Sequence, residues 1–117
     1  MRHHESRLQT SLVAAVRSLI PDARFIFAVP NGGVRSIATA RRLKGEGVLA
    51  GVPDLFLPVP RGQHHGLFLE VKTEKGRLSP AQESLCDYLR GQGYRVEVVR
   101  SVEEGLNTVN GYLCKKS

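Results

Sequence analysis

Cysteine is scarce here: Cys86 and Cys114 are the two in 117 residues, and they lack metal-ligand spacing. A disulfide framework is thereby excluded, and Cys86, beside Leu85 and Leu89 on an apolar helical stripe, reads as a reduced structural thiol. No apolar run approaches the length needed to span a membrane, and none follows the polar start Arg2, His3, His4, Glu5. A reducing, cytoplasmic setting is the expectation. The Gly-x-Gly-x-x-Gly dinucleotide pattern and the P-loop are both missing, as are repeats and low-complexity tracts. Acidic residues are the scarcer charge, 11 against 17 lysines and arginines, for a net charge of +6. That balance favours a polyanionic partner without specifying one. At this length residues 1–117 form one domain, able to bury roughly two thirds of the unfolded surface.

What is present is concentrated in residues 51–73, which hold Gly51-Val52-Pro53-Asp54 at one end and Glu70-Val71-Lys72 at the other. Between them, Leu55, Phe56, Leu57 and Leu67, Phe68, Leu69 read as two strands, separated by Pro58, Pro60 and the polar connection 61–66. Alternation along a strand puts Glu70 and Lys72 on one face and Val71 on the other. Paired as a hairpin, the strands bring Asp54 near Glu70 and Lys72. Two carboxylates and an ammonium in one place suit Mg²⁺, which takes oxygen ligands and leaves positions for water and a substrate phosphate. Such a cation serves phosphodiester hydrolysis, with Lys72 adding positive charge for the transition state. The competing reading is a solvated strand face for Glu70 and Lys72, with Asp54 as a turn residue after Pro53.

Taken in order, Leu8, Leu12, Ala15, Val16 and Leu19 predict a first helix stopped by Pro21. Glu5 in its first turn either complements the helix dipole or joins the acidic site. Residues 24–29 read as a strand ending at Pro30, and Asn31, Gly32, Gly33 as a tight loop before a helical segment that opens at residues 34–36 and runs to about Gly45. Glycines beside a helix N-terminus suit a phosphate, and Arg35, Arg41, Arg42 and Lys44 make that segment either a DNA-holding surface or a solvated basic face. Its weaker apolar side is Ile37, Ala40 and Leu43. Residues 73–78 form a charged turn with Lys75; Ser79, Pro80 and Gln82 then start a helix with a capping box. A strand over 94–99 and a last helix from Ser101 through Leu113 complete the order αβαββαβα, an α/β sandwich with a mixed sheet and helices on each face.

In Glu5, Pro30-Asn31-Gly32-Gly33, Gly51-Val52-Pro53-Asp54-Leu55, Glu70-Val71-Lys72 and Ser79-Pro80-Ala81-Gln82, in that order, the chain resembles the virus-type replication-repair nuclease (VRR-NUC) family of the PD-(D/E)xK superfamily. The resemblance spans nearly the whole chain. It implies a restriction-endonuclease-like fold, with Asp54 and Glu70 binding Mg²⁺ or Mn²⁺, Lys72 as the catalytic lysine and Glu5 in the acidic cluster. It further implies the Val71 backbone carbonyl as a metal ligand and Gln82 bordering the site. DNA contact is expected from Asn31, Gly32, Gly33, Arg35, Arg41, Arg42, Lys44 and Lys75. The activity it implies is a homodimeric, structure-selective DNA endonuclease acting on branched DNA such as Holliday junctions. A non-catalytic nucleic-acid-binding module and a monomeric flap or single-strand nuclease are the alternatives.

Overall fold

The computed structural model describes residues 2–30 and 36–115; Asn31, Gly32, Gly33 and Arg35, expected at the DNA backbone, lie outside them. Helix α1 (Arg2–Leu19) turns Leu12 and Val16, one turn apart, into the core with no exposed surface. Pro21 then opens a 3₁₀ turn at Pro21–Ala23, and Ile26 N–H donates back to Ala23 O at 3.1 Å. The Ile26 carbonyl is in turn held by the Arg17 guanidinium at 2.7 Å. With both backbone groups taken locally, the strand expected over 24–29 contracts to β1 (Phe27–Ala28).

Helix α2 (Ile37–Gly45) starts at Ser36, whose hydroxyl accepts Thr39 N–H at 3.1 Å. Strands β2 (Leu55–Leu57) and β3 (Leu67–Val71) follow, then α3 (Pro80–Gly91), β4 (Arg95–Val99) and α4 (Val102–Leu113). The predicted element order is therefore found. The sheet runs β1-β2-β3-β4: β2 lies antiparallel to both β1 and β3, and β4 lies parallel to β3 across the α3 crossover. In the hairpin, Leu55 opposes Leu69 and Phe56 opposes Phe68.

One sheet face presents Leu55, Leu57, Leu67, Leu69 and Val71, all buried, to α1 and α4. Each such side chain contributes about 1.5–3 kcal/mol when fully buried. Gly105 lets α4 come this close to α1, because a Cβ there would sit 2.5 Å from Leu12 Cδ1. On the opposite face stand Phe56, Phe68, Glu70 and Val96, and α3 packs against β4, with Cys86 buried as expected. Helix α2, expected to flank the sheet, has no buried residue. Its layer of the sandwich is half filled.

Candidate active site

Asp54 stands at the bend before β2, where its backbone carbonyl accepts Val29 N–H at 2.8 Å. Its carboxylate Oδ2 accepts Val71 N–H, also at 2.8 Å, so a side chain ties the start of β2 to the end of β3. Glu70 and Lys72 are 1% and 8% exposed, which removes the solvated-face reading. Lys72 extends the strand pattern one residue, donating its N–H to Val99 O at 3.0 Å. Its Nζ lies 3.6 Å from Glu70 Oε2, and Gln82 Nε2 donates to the same oxygen at 3.0 Å.

Gln82 is aimed by the capping box foreseen in the sequence. Ser79 N–H donates to Gln82 Oε1 at 2.8 Å while Ser79 Oγ accepts Gln82 N–H, which leaves the amide nitrogen to face Glu70. The cap and the site contact are one arrangement. Gly51 lets the segment leading to Asp54 press on this same helix start: at φ +96° a side chain is disfavoured, and a Cβ would lie 3.0 Å from Ala81 O.

Glu70 Oε1 is buried and has no hydrogen-bond partner among the described residues. Burial is the largest influence on this carboxyl and the charge of Asp54 the next; together they outweigh Lys72 and push its pKa up to about 8. Leaving a polar atom dry and unpaired costs about 1–3 kcal/mol. An oxygen so placed, beside a second carboxylate, fits a hard divalent cation.

Glu5 is half-buried, and its charge adds the smallest of the influences that raise Glu70. Its Oε2 lies 3.4 Å from where a Cβ on Gly76 would stand, and Lys72 Cδ lies equally near that point, so α1 reaches the rim of the site. Among the described residues no three His, Cys, Asp or Glu side chains are gathered as a finished metal cage. Asp54 and Glu70 are the acids brought together, with Val71 following directly. Arg41, Arg42, Lys44 and Lys75 are exposed, Lys75 in the turn that follows Lys72; Arg42 is ion-paired with Glu46 at 3.1 Å.

Arg100 escaped the sequence reading. Its Nη1 donates to the carbonyls of Thr73 at 2.8 Å, Glu74 at 3.3 Å and Gly76 at 2.6 Å, fixing the turn that follows Lys72. An arginine just past a strand parallel to the one carrying Lys72 was the only available signal.

A four-stranded mixed sheet flanked by helices, carrying Asp54, Glu70 and Lys72 at one end, defines the PD-(D/E)xK class of nuclease folds. The VRR-NUC domain family model matches residues 3–103, and the chain belongs to that family of nucleases. A solved structure described as a VRR_NUC domain protein is similar over 97% of this chain and 90% of its own, at 25% identity and a TM-score of 0.82. No match was found among curated protein sequences.

Proposed function

We propose that the chain is a divalent-metal-dependent DNA endonuclease that hydrolyses phosphodiester bonds in branched DNA. The observation that carries this reading is Glu70: a buried carboxylate with one orphaned oxygen, beside Asp54 and within reach of Lys72. Asp54, Glu70 and the Val71 carbonyl would hold Mg²⁺ or Mn²⁺, with Glu5 at the rim. The cation supplies Lewis-acid charge neutralisation and an acidified water. Gln82 restrains the Glu70 carboxylate, and Lys72 places positive charge where the transition state gains negative charge. Substrate phosphates are held by Asn31, Gly32, Gly33, Arg35, Arg41, Arg42, Lys44 and Lys75.

A non-catalytic binding module is disfavoured, because carboxylates that face a phosphate repel it unless a cation intervenes. Branched DNA is the substrate that suits a two-copy assembly, since two copies related by a two-fold match the approximate symmetry of a four-way junction. The test is incubation with labelled linear, flapped and four-way DNAs in Mg²⁺, Mn²⁺ or excess EDTA. Cation-dependent cutting of the junction over linear duplex is expected. Cutting undiminished by EDTA overturns the metal assignment, and equal cutting of all three DNAs overturns the branched substrate.

A further inference from the structure

Two parts of the fold are each left incomplete. Helix α2 buries none of its side chains, although Ile37, Ala40 and Leu43 form an apolar stripe; Ile37 is 74% exposed and Leu49, just beyond the helix, 58%. The stripe faces its own continuation across an open groove of about 640 Å³ lined by Ala40, Leu43, Lys44, Val48 and Leu49. On the sheet, Phe27, Phe56, Phe68 and Tyr94 make a continuous row of rings, with centroid separations of 5.7, 4.4 and 5.4 Å in that order. Phe27 is 44% exposed and the other three are half-buried. Helix α3 packs against β4, and among the described residues no helix packs comparably on this face over β1 and β2.

None of the four rings belongs to a charged residue. A stacking platform for single-stranded nucleic acid sets its rings in a cationic groove, whereas this row continues into His65, 5.6 Å from Tyr94, and its Phe and Tyr rings are of the kind enriched in a protein interface core. Among the described residues, each chain thus carries one helix with no buried side chain and one sheet face with no helix packed across it. We infer that α2 of one copy docks its Ile37–Leu43 stripe on the aromatic row of a second copy, and that the second copy returns the contact. The inference rests on the two-copy reading above and names its interface.

Size favours the reciprocal form. A nine-residue helix is short, and one such contact falls below the roughly 800 Å² per partner of a standard interface, so the second, symmetry-related contact is needed. Charge agrees as well. Arg42 lies opposite the stripe and keeps its pairing with Glu46, Arg41 stands to one side, and Lys44 lines the groove with Ala40 and Leu43, so its stem lies along the contact while its ammonium reaches the rim. Glu70 stands two residues from Phe68 on the same sheet face, so docking brings the basic helix of one copy to the face that bears the other's carboxylates.

The final α-helix, another element with apolar side chains, is already committed within its own chain. Val109 and Tyr112 of α4 are buried, and Tyr112 Oη donates to Val59 O at 2.6 Å.

Light scattering across micromolar concentrations tests this with wild type, Ile37→Asp, Phe27→Asp and an equimolar mixture of the two variants. Both positions are exposed, so the fold tolerates the changes. Wild type is expected as a dimer, and each variant should raise the dissociation constant roughly thirtyfold or more, the scale of a hot-spot loss. The mixture should associate more tightly than either variant alone, since an intact helix then meets an intact face once per pair. A dimeric Ile37→Asp protein, or a mixture no tighter than its components, overturns this arrangement and leaves the two-copy reading standing. A monomeric wild type overturns both.

Discussion

Glu70 is the residue on which pH should act. Its carboxyl titrates near 8 in the folded chain against an ordinary 4.5, so across that window the folded state holds a proton that the unfolded state has released. Stability therefore falls as pH rises, with the contribution largest below about 4.5 and gone above about 8. Calorimetry of the cation-free protein should show Tm declining from pH 5 to pH 8, and Glu70→Gln should flatten that dependence. Mg²⁺ or Mn²⁺ should raise Tm more at pH 8, where the bare carboxylate most needs a counter-charge. A Tm that rises toward pH 8 without metal contradicts this. Lys72→Ala should slow cleavage on the order of a hundredfold or more while metal-induced stabilisation persists, and Lys72→Arg should not restore the rate, since a planar fork replaces a compact ammonium. Asp54, Glu70 and Lys72 were legible in the sequence because strand alternation and a hairpin bring them together. Their burial was not legible, since it depends on the helix start at Ser79 and on a loop pressed against Ala81.

Among the elements, α3 was readable to its first residue because Ser79, Pro80 and Gln82 each have a local physical role at a helix start. The strand over 24–29 was misjudged for an equally local reason: Ala23 and Arg17 take the backbone groups of Ile26 before a neighbouring strand can. Helix α2 was placed correctly and starts at Ser36 within one turn of the expectation, yet nothing in its own pattern revealed that it would bury none of its side chains. The turn 73–76 depends on Arg100, an interaction across 24 or more residues that no local pattern announces. Arg100→Ala should release three carbonyls beside Lys72. Faster amide exchange at residues 73–76 and a cleavage rate lower by about tenfold, with DNA affinity retained, are the expected results; unchanged exchange would remove Arg100 from any positioning role.

At the scale of the whole molecule, the antiparallel β2–β3 hairpin and the parallel β3–β4 pair followed from element order, because a short connection returns antiparallel and the α3 crossover returns parallel, whereas the antiparallel β1–β2 pairing across α2 did not. The tight α1–α4 contact did not, since a helical glycine carries no signal of what it faces. Gly105→Val should cost about 1–3 kcal/mol, read as a lower denaturation midpoint at constant slope, because Leu12 has no free space into which to retreat. Among the described residues no helix is long and apolar enough to cross a membrane. The chemistry then comes down to one sheet end, and the most direct measurement is cleavage of a labelled four-way junction by wild type, Asp54→Asn and Glu70→Gln with Mg²⁺ or Mn²⁺, run beside a binding titration on the same DNA. Wild type should cut, and both variants should bind within a fewfold of wild type and leave the junction intact. Cutting by either variant at near the wild-type rate would contradict the assignment of Asp54 and Glu70 as the metal-holding pair.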